Sequence, residues 1–571
     1  MAYFLAGALA AIALILAPGI TFSFDIAPKL IILLAAAGLA AFPARRSRFL
    51  YLTVLTVLSL AVSTALSARP SLSFFGSGWR RYGALAQLAV LLLAWSIYGE
   101  ARRVTVFLRV VTAAGAVTAL YGIAQYLGWD PILPAAAYHI GEGVWTIVRP
   151  PSTLGYASYF ATWLLFVIFW SLALPGKFTR VSLSLTVAAL LLTGTRAAVL
   201  GLLVGFAVWC YWRGFRLSRR VIWASVGAAA AVLAIGAVFY FSPMGLQMRS
   251  RTRWFQEDPW GGARPLLWRD SLRTALGRPL LGYGPETFSA TFPHFESKEL
   301  ARAYPDFAHE SPHNIFLDAL VSQGLPGLLL MVAWCAAGFT AAWRIRVSHP
   351  ATAASLAAAL AAGIVSQQFT VFIIPTAAIF FATVALAEGL RCNAAPPHRY
   401  FPFALPLLYF AARVALDDHA LLRTQRALAS NDLAAATAHY AQSRNADDLW
   451  YSRTLAAFAG NAPTILLRIQ AMQQAIAAGE RATRTAEAPF NAWYSLSALR
   501  ASQNDAAGTE FCLRQAIDAH PNWFKPHWIL AEVLQGEGRH DEARREALTA
   551  IDLDAGKQPE VARALHEIIL Q

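Results

Sequence analysis

His313 and Asn314 stand together two residues before the end of a polar stretch, and a strongly apolar run begins at Ile315. Imidazole is the side chain whose ordinary pKa, about 6.5, lets it take up or release a proton near neutrality. His313 therefore reads as a proton-transfer group at the mouth of a membrane span, or as a polar residue at a helix start that Pro312 helps to open. His309 and Glu310 lie just before it and are the next groups able to move a proton.

The second set is arginine. Arg196 follows Gly194 and Thr195 at a tight turn between two apolar runs, where a cation is costly unless it snorkels to headgroups or is paired. Arg80, Arg81, Arg149, Arg264 and Arg269 fall in connections on the same side. Guanidinium binds phosphate through two parallel hydrogen bonds and stays charged, so an anionic ligand at that leaflet is the simple reason for the set. The carboxylates Glu142, Asp270, Glu286, Glu296, Glu310 and Asp318 form no tandem acidic pair of the kind that holds a metal between phosphate and protein. A metal-independent site without a cofactor is expected. Ser366, Gln367 and Gln368 read as hydrogen-bonding contacts between helices, with a cavity lining as the alternative.

The elements that position these residues are membrane helices. Of 571 residues 57% are hydrophobic and 14% charged, which excludes an ordinary soluble globule. An all-α, polytopic helix bundle of about thirteen spans is predicted, each near the roughly 20 residues a bilayer requires. The cores are 3–20, 28–43, 49–66, 82–98, 104–127, 156–174, 181–193, 197–212, 221–242, 315–343, 351–369, 375–390 and 401–416. Basic clusters alternate along this series: Arg45, Arg46 and Arg48; Arg102 and Arg103; Lys177 and Arg180; Arg213, Arg216, Arg219 and Arg220; Arg344 and Arg346; Arg391 and Arg399. All share one side if the N-terminus is cytoplasmic. The loop 243–312, the loops 67–81 and 128–154, and the C-terminal region then face outward. The first apolar segment lacks a basic flank and a small-residue cleavage site, so it is expected to be a retained span.

The net charge of +14 is spread in short clusters between spans, which argues against a nucleic-acid partner. Cys210, Cys335, Cys392 and Cys512 suggest neither a disulfide framework nor metal-ligand spacing. From about Asp417 the chain becomes rich in Ala, Arg, Glu and Gln with helical periodicity. A near-repeat of roughly 34–36 residues, the tetratricopeptide period, places Trp493, Ala516, Pro521, Trp528, Ala543 and Ala550 at packing positions. The pattern's glycine is replaced by Ser497 and Glu532. The predicted domains are a membrane domain, 1–416, and a helical-repeat domain, 417–571, with a surface for a partner.

These residues together resemble the O-antigen ligase and Wzy-type polymerase superfamily. His313-Asn314, nine residues, then Gly324-Leu325-Pro326-Gly327 are similar to its His, small polar residue, gap and Gly-x-x-Gly signature. Arg264-x-x-x-Trp268 followed by RPLLGYGPETF, and GTRAAVLGLLVG from Gly194, resemble two further motifs. LYGIAQYLGWDP from Leu120 and FFGSGWRRYG from Phe74 are similar to segments of larger members, whereas Tyr156-Ala157-Ser158 stands where many carry an Asn-rich turn. The resemblance covers roughly 67–327. It implies transfer of a glycan from an undecaprenyl-diphosphate donor to an acceptor hydroxyl, on lipid A–core sugar, another glycan chain or a protein, outside the bacterial cytoplasmic membrane. It implies His313 as the base and Arg196 and Arg264 as diphosphate ligands, with Arg80, Arg81, Arg149, Arg269, His309, Glu310 and Asn314 as accessory groups.

A membrane exporter or assembly scaffold that docks partners through its repeats is the competing function class. A transporter calls for ionisable groups at mid-membrane, and this sequence keeps its charges at span ends and in loops.

Overall fold

The computed structural model of the chain describes all residues except 43–45, 141–145, 215–233, 235–236, 239, 242–248, 251, 254–255, 257–261, 395–398, 401–403, 444–446 and 571. The expected span 221–242 lies almost wholly outside the described residues, as do Arg45, Glu142, Arg216, Arg219 and Arg220.

The described chain is built of helices, with two antiparallel ladders of two residues each, 41–42 on 399–400 and 139–140 on 147–148. Helices coincide with the other expected cores. Four are long and apolar enough to cross a membrane: Arg48–Ala65, Ala101–Tyr126, Ile315–Arg344 and Ile374–Arg391. Six apolar helices are shorter: Ala2–Leu14, Ala27–Leu39, Ala84–Gly99, Ala157–Ser171, Arg196–Trp212 and Pro350–Ser366. Lys177–Leu192 completes the helical series before the long loop.

One apolar core runs through these helices. Trp163, Trp170, Trp334, Phe160, Phe166 and Phe380 are fully enclosed. Small residues set the close crossings. A Cβ on Gly201 would sit 2.8 Å from the Ala362 carbonyl, so Arg196–Trp212 packs directly on Pro350–Ser366. Polar residues tie neighbouring helices at the same level. Thr162 and Ser366 hydroxyls meet at 2.7 Å, and Asn314 donates to Gln368 Oε1 at 3.0 Å. Ser366 and Gln368 thus serve as interhelical contacts.

The predicted boundary at 416/417 falls inside a single helix, Ala404–Ala429. Its periodicity is unbroken there because Val414, Asp417, Asp418, Ala420 and Leu421 are all buried against neighbours. Asp418 accepts the backbone N–H groups of Phe22 and Ser23 at 2.6 and 3.0 Å, which fixes the helix to the first interhelical loop. Beyond it, consecutive antiparallel helices stack to the C-terminus. The pair Pro489–Ala501 and Ala506–Ala519 is followed by Phe524–Gly536 and His540–Asp554, with Leu513, Ala516, Phe524, Leu530, Ala543 and Ala550 in the shared core.

Candidate active site

The site is assembled from three stretches that the sequence motifs mark. The first is the loop 76–83 after the short helix Pro70–Phe75. The second is the passage of turns and bends 278–288 that leaves helix Arg264–Gly277. The third is 307–314, which leads into the long helix Ile315–Arg344. That helix is broken at Gly324, whose φ of 67° and ψ of −160° are not helical. A Cβ there would lie 2.6 Å from the Leu280 carbonyl carbon. Gly282 makes the reciprocal approach, with its Cβ position 2.4 Å from Ser322 C. The two glycines let the chains cross and exchange backbone bonds: Tyr283 N–H to Val321 O and Gly284 N–H to Ser322 O at 2.9 Å, Leu325 N–H to Pro279 O at 2.7 Å. The nine residues between Asn314 and Gly324 are therefore one helical segment, about 14 Å at 1.5 Å per residue, linking the histidine to this crossing.

The first and third of these stretches border a cavity of about 490 Å³, and the second reaches it only through Glu286, which pairs with Arg80. Asp25, Lys29, Arg80, Tyr156, Tyr159, Glu310 and His313 supply its polar lining. Ile26, Leu154, Ile373, Ile374 and Pro375 give it an apolar wall. Arg80 is buried and ion-paired to Glu286 at 2.5 Å and to Asp318 at 3.4 Å. Glu286 also accepts the Ser77 N–H at 3.1 Å and the Ser77 hydroxyl. Lys29 is 4% exposed, and its ammonium donates to the Thr153 carbonyl at 2.6 Å.

His313 has φ +50°, in the left-handed region, and directly precedes the helix cap Asn314, whose side chain accepts the Phe316 and Leu317 N–H groups. Its Nδ1 lies 3.4 Å from Ser311 Oγ. Desolvation, then the charges of Arg264, His309 and Arg80, push its pKa from 6.5 down to about 3, so the ring is neutral at physiological pH. His309 is buried against Phe292 and Phe307 and is pushed down to about 4, by desolvation first and then by His520. It sits in a separate small pocket with Glu296 and His520.

The expected arginines divide. Arg80 enters the cavity with His313 and Glu310. Arg264, first residue of its helix, donates to Phe369 O at 3.3 Å and lies close enough to His313 to depress its pKa, yet neither it nor Arg196 lines the cavity. Arg196 opens its helix beside Thr195, and Arg149 reaches Thr195 Oγ1 at 3.5 Å while its guanidinium sits 5.7 Å from the ring centroid of cavity-lining Tyr156. Arg81 follows Arg80 with φ +46° and is half-buried. Arg269 is turned away from the cavity, bonding Asp270, Ser297 and Glu299. Among the described residues no three metal-ligating side chains converge.

Residues 181–332 match the family described as O-Antigen ligase. An O-antigen ligase of Pseudomonas aeruginosa is 30% identical over 213 residues, which is 37% of this chain and 46% of that protein. This segment of the chain is similar to O-antigen ligases. It spans less than half the length of that curated relative in the match. The matched segment holds Arg196, Arg264, Arg269, His309, Glu310, His313, Asn314 and the Gly282–Gly324 crossing. Arg80, Arg81 and Arg149 precede the matched segment.

Among the charged and aromatic groups of the cavity lining, Asp25, Lys29, Tyr159 and Phe307 carry no motif in the sequence, and Trp79 enters only within the FFGSGWRRYG segment. Lys29 had a readable signal, a lone cation in the first turn of an apolar stretch on the side where the basic clusters are sparse. Glu286 was noted as a carboxylate, but its pairing with Arg80 carries no sequence signature.

Proposed function

We propose that the chain is a multi-pass membrane glycan transferase. It moves an oligo- or polysaccharide from an undecaprenyl-diphosphate carrier to an acceptor hydroxyl on the outer side of the bacterial cytoplasmic membrane. The cavity carries this conclusion: a neutral histidine and buried cations share one chamber with an aliphatic wall, beside helices apolar enough for a bilayer. A carrier with an isoprenoid tail and two phosphates calls for that combination. The family match favours lipid A–core sugar as acceptor, with another glycan chain or a protein hydroxyl as the other classes.

In the proposed step the acceptor oxygen attacks C1 of the glycan and its proton passes to the unprotonated nitrogen of His313. The C1–O bond breaks with its electron pair leaving on the diphosphate. A histidine held neutral has its lone pair available, and the incoming diphosphate raises its proton affinity toward that of a useful base. General-base help of this kind is worth about 10²–10⁴-fold. Lys29 and Arg264, with Arg196 at the neighbouring helix start, stabilise the charge that builds on the leaving group, about 3–4 kcal/mol for one well-placed donor. Arg80, Arg81, Arg149 and Asn314 shape the surroundings. With cations in that role, transfer proceeds without a divalent metal.

The accompanying topology has about thirteen spans, a cytoplasmic N-terminus and an outward tetratricopeptide-like region from 417 that offers a surface to the acceptor or a protein partner. The test compares donor binding and transfer in purified variants. His313→Ala should lose transfer by at least 10²-fold and keep donor binding, Arg264→Lys should weaken binding, and a chelator should leave the wild type active. An active His313→Ala enzyme would move the proton transfer to His309 or Glu310. A reporter fused after Asp417 that works only in the cytoplasm would overturn the topology.

A further inference from the structure

The loop that brings Trp79 and Arg80 to the cavity is gripped from two directions. From the membrane part, Glu286 accepts the Ser77 N–H and hydroxyl and pairs with Arg80. From the C-terminal region, the turn between helices Ile465–Thr485 and Pro489–Ala501 reaches the same loop. Glu487 Oε1 accepts the Gly78 N–H, and Arg69 donates to the Ala486 carbonyl. Gly78 directly precedes Trp79 and Arg80, so the two carboxylates hold consecutive residues of one short segment.

The same region also braces the other side of the cavity. His520 pairs with Glu296 at 2.5 Å, and Asn522 donates to the Glu296 carbonyl at 2.7 Å. Lys525 meets Asp306 at 2.7 Å, next to cavity-lining Phe307, and Arg302 meets Asp552 at 2.6 Å. Exposed pairs such as Arg302–Asp552 are individually worth little. The contact at Gly78 differs, because it acts on a backbone amide adjoining two cavity-lining side chains.

We propose that Glu487 is a positioning residue for the transfer reaction. By holding the Gly78 amide it keeps Trp79 and Arg80 in register with His313, which makes the C-terminal helical region part of the frame of the active site. This rests on the cavity being the place of transfer. A mere tether between the two regions would support stability alone and would leave the kinetics of the folded enzyme unchanged.

The experiment uses the full chain in lipid nanodiscs with three variants: Glu487→Ala, which removes the acceptor; Glu487→Gln, which keeps an acceptor oxygen; and Arg302→Ala, which severs an exposed brace. Transfer from an undecaprenyl-diphosphate glycan gives kcat and KM, and hydrogen exchange read by mass spectrometry follows the peptide covering 76–83. Glu487→Ala should lose kcat on the order of 10–100-fold, the scale for an ångström of misplacement, and should exchange faster at 76–83. Glu487→Gln should recover to within about two-fold of wild type, and Arg302→Ala should match wild type in both readouts. Wild-type kinetics in Glu487→Ala, or an equal loss in Arg302→Ala, would overturn the proposal. A wild type that binds no lipid-linked donor and transfers nothing would instead sink the functional assignment, while the exchange data alone would still decide whether Glu487 holds the loop.

Discussion

Arg80 and Glu286 meet at 2.5 Å with side chains only 2% and 1% exposed, although 205 residues separate them in the chain. Asp318 contacts the same guanidinium at 3.4 Å. One cation thus faces two carboxylates, and the arginine most deeply placed in the cavity is largely neutralised by the protein itself. In the proposed reaction, compensation for an incoming diphosphate would fall on the other cations, Lys29 in the cavity and Arg264 beside His313.

Removing one partner of the buried pair should be severe. Glu286→Ala leaves the buried Arg80 with only the longer 3.4 Å contact to Asp318 and should cost about 3–5 kcal/mol of stability. The double variant Arg80→Met, Glu286→Leu should recover most of it, because it removes both fully buried charges and leaves only Asp318, whose side chain is 22% exposed and reaches water. Thermal unfolding in detergent measures both. An undiminished melting temperature for Glu286→Ala would mean the pair is not buried as described.

Gly324→Ala should destabilise by more than about 1 kcal/mol, because φ is positive there and the added methyl meets backbone at 2.6 Å. Gly7→Ala, where nothing lies within 4 Å, should be neutral or slightly stabilising by helix propensity. The two melting curves together separate the crossing from a general effect of the added methyl group. Equal behaviour of the two variants would show that the crossing of 278–288 over the long helix is not needed.

Protonation should weaken the fold on the acid side. His313 and His309 titrate near 3 and 4 when folded and near 6.5 when unfolded. Between those values the unfolded chain holds protons that the folded chain does not. Their contribution to stability is therefore full above 6.5 and declines as pH falls toward 3. Histidine C2–H exchange followed by mass spectrometry reads each pKa directly. A midpoint near 6.5 for His313 would contradict its desolvated setting.

Lys29→Met should bind undecaprenyl diphosphate about 10–100-fold more weakly, the scale of one charge-assisted hydrogen bond. Transfer at saturating donor should fall less. Unchanged donor affinity would remove Lys29 from the phosphate site.

The apolar helices were legible because a bilayer imposes a length and a hydropathy that composition reveals directly; four of them are long and apolar enough to cross one. The histidine motif was legible because its spacing encodes one rigid helical segment ending in a backbone crossing that only glycine fits. The Arg80–Glu286–Asp318 cluster was not, since nothing local in any of the three segments specifies that they meet. Arg269 shows the same limit in reverse: its loop is the right one, but Asp270 and Ser297 hold it away from the cavity. Composition changes at Asp417, yet the helix Ala404–Ala429 continues through that position, because its buried face is set by neighbours that composition does not reveal.

That unbroken helix gives the molecule a fixed phase. Each residue turns an α-helix by about 100° and advances it about 1.5 Å. Inserting one residue in its middle would swing the whole C-terminal stack round the axis, taking Asp418 off the Phe22 and Ser23 amides or Glu487 off Gly78. Inserting a full heptad would nearly restore the bearing but raise the stack by about 10 Å. The alignment of the C-terminal region with the cavity is thus written as a count of residues, as the teeth of a gear set its timing.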